Sequence, residues 1–342
     1  MNIRSKCYSF CGAICAGITV LISSSAQAQN LFVSDGTNVY EFSPNGTRSV
    51  FASGLGSVAG LAFNSAGDLF VADYGAGNVY KFTPDGTRTT FASGLGEPTA
   101  LAFNSAGDLF VGDYSSGSIY EFTPGGKQST FASGLQYPSG LAFNSAGDLF
   151  EADWVGGYIY EFNTNGTQTT FAFENYPGDW SVSPFALAFD AAGNLFVGND
   201  VTSSHYIVEF APDGDQSTFV SSGLTSACGL AFNSAGELFE ADQGSGDIFE
   251  FTSDGIRSTF ASGLVHPVAL AFQPEPELKA IVTNGAPQVT VSMPSPYHST
   301  IIQASTDLVN WVNIYTNTPP STFSDSKATN SSCCFYRALL GP

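Results

Sequence analysis

Glu151 and Glu240 are the residues of this 342-residue chain most able to do chemistry, because each stands where a repeated sequence otherwise asks for valine. The equivalent positions are Val33, Val71, Val111 and Val197. A carboxylate in a packed apolar position has to be paired, protonated or bound to a metal. If solvent reaches the position, Glu is simply tolerated there. Two residues further on, five copies carry an Asp (Asp35, Asp73, Asp113, Asp153 and Asp242), and the remaining copy carries Asn199-Asp200. A ring of such groups can hold a cation through oxygen ligands. Equally, each Asp can cap the backbone amides of its own following turn. The metal reading selects Glu151, Asp153, Glu240 and Asp242 around calcium or another divalent cation, with Glu151 and Glu240 as candidate catalytic carboxylates. No organic cofactor is indicated.

Other departures from the repeat fall nearby. Trp154 replaces Tyr74 and Tyr114, and Gln243 takes the same place in a later copy. One insertion, Glu174 to Pro184, carries Asp179 and Trp180; another, Val201 to Tyr206, ends next to His205. The segments between copies contribute Glu97, Tyr137 and His266. Aromatic, acidic and amide groups gathered on loops suit a sugar, a peptide or another small polar ligand. Loop drift without a ligand produces the same pattern. No nucleophile elbow, His-Glu-x-x-His, phosphate loop or complete calcium-binding loop is present. The Asn-Gly-Thr sequences at Asn45 and Asn165 are formal glycosylation sequons, but Asn-Gly also marks a hairpin turn.

What positions these residues is the repeat. AFNSAGDLF occurs at residues 62, 102 and 142, AFDAAGNLF at 188 and AFNSAGELF at 231, and a truncated copy starts at Ala271. Within one unit Leu61-Ala62-Phe63, Leu69 to Asp73, Val79 to Phe82 and Thr89 to Ala92 read as strands. Asn64 to Asp68, Tyr74 to Gly77 and Pro84-Asp85-Gly86 read as turns. Four short antiparallel strands per period of roughly 40 residues predict propeller blades. Second strands start six times and first strands end six times. The fold class is therefore all-β, a six-bladed β-propeller in which residues 265–272 complete the blade begun by residues 30–53, and this closure pairs strand edges that would otherwise invite aggregation.

Outside residues 29–274 the composition changes. Residues 1–28 predict a signal peptide, with Arg4 and Lys6, an apolar run over 10–22 and a cleavage site at Ala26-Gln27-Ala28. Maturation after Ala28 makes the protein exported, whether secreted, periplasmic or held at the cell surface. No later segment predicts a membrane span. The formal charge is −20, and the leader holds two of the ten basic residues and none of the thirty acidic ones. Such a surface disfavours nucleic acid, whose binding rests on Lys and Arg, and it attracts cations. Cys228, Cys333 and Cys334 make no disulfide framework and no zinc site. Residues 275–278 read as a linker, and 279–342 as a small β-sandwich-like module with strands near 289–291, 300–303, 311–314 and 335–338.

The unit P-x-G/A-L-A-F-N-S-A-G-D-L-F-V-A-D-Y…Y-x-F-T-P-D-G resembles the NHL repeat. Over residues 30–274 it also looks like the six-bladed propellers of gluconolactonase and senescence-marker type and of the streptogramin lyases. The tail is similar to fibronectin-type-III-like modules. The gluconolactonase resemblance implies a divalent cation, often calcium, held at the channel mouth by a Glu, an Asn and an Asp from different blades. Carboxylates recur in nearly every blade, so the resemblance assigns those ligands to no single positions. No His with a neighbouring acid matches the lyase pattern. Two functions follow as expectations. One is a binding protein that takes a small polar ligand or a protein or carbohydrate partner on the loop-rich face. The other is a divalent-metal-dependent hydrolase or lyase of lactonase type.

Overall fold

The structure is a computed structural model that describes residues 18–20, 29–173, 183–199 and 205–274, together with strands and short stretches between 277 and 341. All regular elements among the described residues are β-strands. The propeller spans Ala28–Gln273. In blade 2, Val58–Phe63, Leu69–Asp73, Asn78–Phe82 and Arg88–Ser93 form one antiparallel sheet in chain order. The same four-stranded order recurs in all six blades. Blade 1 takes its first strand, Pro267–Phe272, from the far end of the propeller chain and pairs it with Leu31–Asp35, Leu31 opposite Phe272 and Val33 opposite Leu270. The ring thus closes as the repeat count requires. First strands run longer than the apolar triplet Leu-Ala-Phe suggests, with a register shift after their first residue.

The blades pack because both faces of each sheet are apolar. In every blade the Phe at the second position of the second strand meets two others edge-on. Phe110 lies 5.0 Å from Phe131 of its own blade and 5.1 Å from Phe143 of the next. Phe70 pairs at 5.0 Å with Phe91 and Phe103, and Phe150 at 5.0 Å with Phe171 and Phe189. The last repeat of this triad, Phe239 with Phe260 and Phe272, joins the two ends of the ring. Edge-to-face contacts of this kind contribute about 0.5–1.5 kcal/mol each beyond area burial.

Near the axis the first strands approach too closely for side chains. A Cβ on Gly60 would stand 2.1 Å from the Thr99 carbonyl oxygen, and one on Gly140 would stand 2.5 Å from that of Phe185. The alternate blades hold Ala100, Ala186 and Ala269 at this position.

Registers fix which loops share a face. Asp73 lies opposite both Val58 and Asn78, and Asn78 lies opposite Ser93. The turn between second and third strands and the loop between blades therefore sit at one end of every blade, termed here the loop face. Hairpins such as 83–87 lie at the other end.

The second compact unit comprises residues 1–27 and 274–342. In it Ser299–Ser305 pairs with Val312–Asn317 and Cys334–Gly341, and Ala286–Ser292 pairs with Glu277–Thr283 and Ser321–Ser324. The expected linker is shorter than residues 275–278, since a strand already begins at Glu277. In the unprocessed chain Ile18–Val20, within the apolar run of the expected leader, runs parallel to Cys334–Gly341.

Substitutions in the two packing systems should differ in size. Phe110→Ala should cost about 3–5 kcal/mol, whereas Gly60→Ala, which drives a methyl group against a neighbouring backbone carbonyl, should cost about 1–3 kcal/mol. Denaturant midpoints at unchanged slope check both.

Candidate functional site

The Asp that ends each second strand is buried and acts as a clip. Asp73 accepts the N–H of Gly56 at 2.7 Å and of Ser57 at 2.9 Å from the loop that enters its blade, and that of Ala76 at 3.1 Å from its own turn. Asp113 accepts Gly96 and Ser116, Asp153 accepts Gln136 and Gly156, and Asp242 accepts Thr225 and Ser245. The Thr225 hydroxyl also donates to Asp242. Asp35 takes Val265 at 3.0 Å across the ring closure, and His266 donates its N–H there too. The capping reading from sequence covers only half of this, for each carboxylate also holds the preceding inter-blade loop. Blade 5 has Asn199 instead, fully buried and with neither side-chain polar atom partnered among the described residues. The equivalent loop, residues 174–182, lies outside those described, as do Asp179, Trp180 and Asp200.

Glu151 and Glu240 are 0 % exposed, and none of their four carboxyl oxygens has a hydrogen-bond partner among the described residues. Strand alternation and register place them in different layers. Glu151 lies opposite Leu141 and Tyr160, which pack with Leu149 against Ala100 and Phe110 of blade 3. Glu240 lies opposite Leu230 and Phe249, which pack with Leu238 against Phe196 and Ile207 of blade 5. Burial pushes the Glu151 carboxyl well above the usual carboxylate range, and the Asp153 charge adds to the rise. Burial does the same to Glu240, with Asp242 reinforcing it and Arg257 opposing it. Burial also raises Asp153, against the bonds from Gln136 and Gly156. Among the described residues no group of three or more His, Cys, Asp or Glu is arranged to hold a metal ion. Glu151 with Asp153, and Glu240 with Asp242, stand as two separate pairs.

The structure does assemble an aromatic patch on the loop face. Tyr74, Tyr114 and Trp154 each follow the clip Asp in blades 2, 3 and 4. Tyr74 lies 6.3 Å from Tyr114, and Tyr114 lies 6.3 Å from Trp154. Tyr137, from the loop between blades 3 and 4, stacks on Tyr114 at 4.1 Å and meets Trp154 edge-on at 6.5 Å. The Tyr74 hydroxyl donates to Glu97; burial first, then that bond and charge, raises the tyrosine. Burial, Tyr137 and Glu97 raise Tyr114. The Trp154 indole N–H is buried without a partner among the described residues.

Tyr137 is exposed and has φ of 74°, the only positive φ outside glycine among the described residues. Other expected site residues stand apart from this patch. Gln243 and exposed His266 belong to the loop face of blades 6 and 1, and His205 opens the third strand of blade 5 opposite Leu224. Tyr74 and Tyr114 were not among the expected site residues, although their shared repeat position with Trp154 was a signal that could have found them; nothing in the sequence marks the Tyr137 backbone.

Fold and patch together define a six-bladed β-propeller with a one-sided aromatic face. No protein-family model and no curated protein sequence matches the chain. Solved structures do. A chain from a nidogen–laminin complex superposes with a TM-score of 0.64 at 17% identity, covering 72% of this chain and 98% of that one. A streptogramin B lyase gives 0.57 at 14% identity, covering 86% and 95%. The gluconolactonase XC5397 from Xanthomonas campestris gives 0.55 at 20% identity, covering 66% and 86%. The likeness is one of fold, shared by propellers from interaction proteins and from enzymes.

The buried glutamates set a pH dependence. A carboxyl raised in the folded state keeps its proton where the unfolded chain has lost it. Its contribution is complete below the ordinary value, about 4.3, and is lost as pH rises toward the raised one. Replacing Glu151 and Glu240 with Val should therefore raise stability at pH 7 by about 1–3 kcal/mol each. The gain should shrink as pH falls toward 4. Melting curves of the double variant and the parent between pH 4 and 8 check this.

Proposed function

We propose that the protein is an exported binding propeller that takes a small polar ligand, or a protein or carbohydrate partner, on its loop face. The aromatic patch carries this reading. Aromatic side chains give large contact area at low conformational cost, with a polar tip to orient a ligand. Here they come from three adjacent blades onto one face. Residues 1–28 support export by composition. The alternative of a divalent-metal-dependent hydrolase or lyase requires Glu151, Asp153, Glu240 and Asp242 to converge. They lie in two inter-blade layers, and both Asp side chains already hold backbone amides, so the arrangement favours binding.

The test is a panel of immobilised glycans and peptides probed with the protein, with Trp154→Ala and with Lys127→Ala on the opposite face. Ligands retained by Lys127→Ala and lost by Trp154→Ala are the expected result; a panel with no Trp154-dependent ligand overturns the reading. Melting in calcium against EDTA addresses the alternative. The expected outcome is the same melting temperature in both. A cation at 100 times its dissociation constant would add about 2.7 kcal/mol and turn attention to lactone hydrolysis.

A further inference from the structure

Three properties of the aromatic patch specify its occupant more closely than aromaticity alone. The first is charge. Among the described residues, no loop on this face contains Lys or Arg, while Glu97 and the clip aspartates lie there. The five basic residues of the propeller, Arg48, Lys81, Arg88, Lys127 and Arg257, belong to third and fourth strands or to the opposite hairpins. Four of them already lie over rings, Arg48 over Tyr40 and Arg88 over Tyr80 at 5.0 Å, Lys81 over Phe70 at 5.9 Å and Arg257 over Phe249 at 4.6 Å. Arg48 and Arg257 donate to the Gly263 and Gly223 carbonyls, in the loop between blades 6 and 1 and at the end of the fourth strand of blade 5, away from the rings of blades 2 to 4. Among the described residues, the rings of blades 2 to 4 thus have a carboxylate beside them and no cation over them.

The second property is strain. Ser57 and Glu97 occupy the position equivalent to Tyr137 and donate their N–H to the clip Asp, at 2.9 and 3.4 Å. Asp153 holds Gln136 and Gly156, while Tyr137 turns to φ of 74° immediately before Pro138. A non-glycine residue in such a conformation costs on the order of 1–3 kcal/mol, and a following proline favours extended backbone instead. What the turned backbone achieves is to lay the Tyr137 ring on Tyr114, in contact with Trp154 and exposed to solvent.

The third is spacing. Rings on successive blades are 6.3 Å apart. Alternate side chains of an extended peptide project to the same side and stand about 6.7 Å apart.

We propose that the shelf of Tyr74, Tyr114, Tyr137 and Trp154, with Glu97 beside it, docks an extended basic segment of a partner polypeptide, alternate Lys or Arg side chains lying against successive rings. This rests on the loop face being a binding surface. A guanidinium or ammonium over a ring gains from the ring quadrupole. Glu97 adds charge attraction, which salt screens.

The experiment uses the full chain and fluorescein-labelled hexapeptides: alternating Arg-Gly, alternating Glu-Gly, alternating Gln-Gly, and a peptide of three contiguous Arg followed by three Gly. The alternating Arg peptide should bind at low salt, at least tenfold more tightly than the Glu and Gln peptides and several-fold more tightly than the contiguous one. Trp154→Ala and Tyr137→Gly should each weaken it at least tenfold, and Glu97→Gln should weaken it several-fold and flatten its salt dependence. Glycine accepts the positive φ without strain, so Tyr137→Gly should melt no lower than the parent, which separates loss of the ring from loss of the fold. Equal binding of the Arg, Gln and Glu peptides, or Arg binding indifferent to Tyr137→Gly and Trp154→Ala, overturns the proposal. A neutral glycan or peptide that needs Trp154, found where the Arg peptide fails, overturns the basic occupant and keeps the binding face. A panel with no Trp154-dependent ligand removes both.

Discussion

The edge-to-face phenylalanine triad between blades is the interaction on which the rest of this structure depends. One ring from each second strand is gripped by a fourth-strand ring of its own blade and a first-strand ring of the next, six times around the axis. Each blade is too thin to bury its own faces, so the stable object is the closed ring rather than any single sheet. Closure also explains how residues 267–272 and 31–35, separated by most of the chain, come to share one sheet.

Upon that frame the clip aspartates do a second job. Each ties the loop entering its blade to the turn leaving its second strand, which makes the loop face rigid where it would otherwise be a set of independent loops. The aromatic shelf can then keep its ring spacing across three blades because its supports are backbone amides held by buried carboxylates. Glu151 and Glu240 sit in the same strands but outside this network. Their oxygens lie in apolar layers without partners among the described residues, where burial favours the protonated form. The interior thus spends its stability at those two positions, and the pattern of hydrogen bonds explains why carboxylates two residues apart behave so differently.

Much of this was legible in the residues themselves. The period, the strand and turn chemistry of each unit, the blade number and the mode of closure all follow from local pattern, because each blade repeats one short-range code and contacts only its neighbours. Trp154, Tyr137 and Glu97 were recognisable as departures on loops. Glu151 stands in the layer against blade 3 and Glu240 in the layer against blade 5, because equivalent positions in a ring face equivalent but separate layers. The reach of each Asp to the loop before it also escaped the sequence, since that loop is about 17 residues away along the chain.

What the sequence by itself determined is the architecture, since short apolar strands, turn residues and a fixed period are local properties that any copy of the unit carries. What only the tertiary structure decided is which side chains become neighbours at the face. Tyr74, Tyr114, Tyr137 and Trp154 are spread over some eighty positions and form one surface only when three blades stand side by side. The left-handed backbone of Tyr137 and the isolation of the two glutamates are likewise products of packing. Both depend on how neighbouring blades meet, which no single repeat encodes.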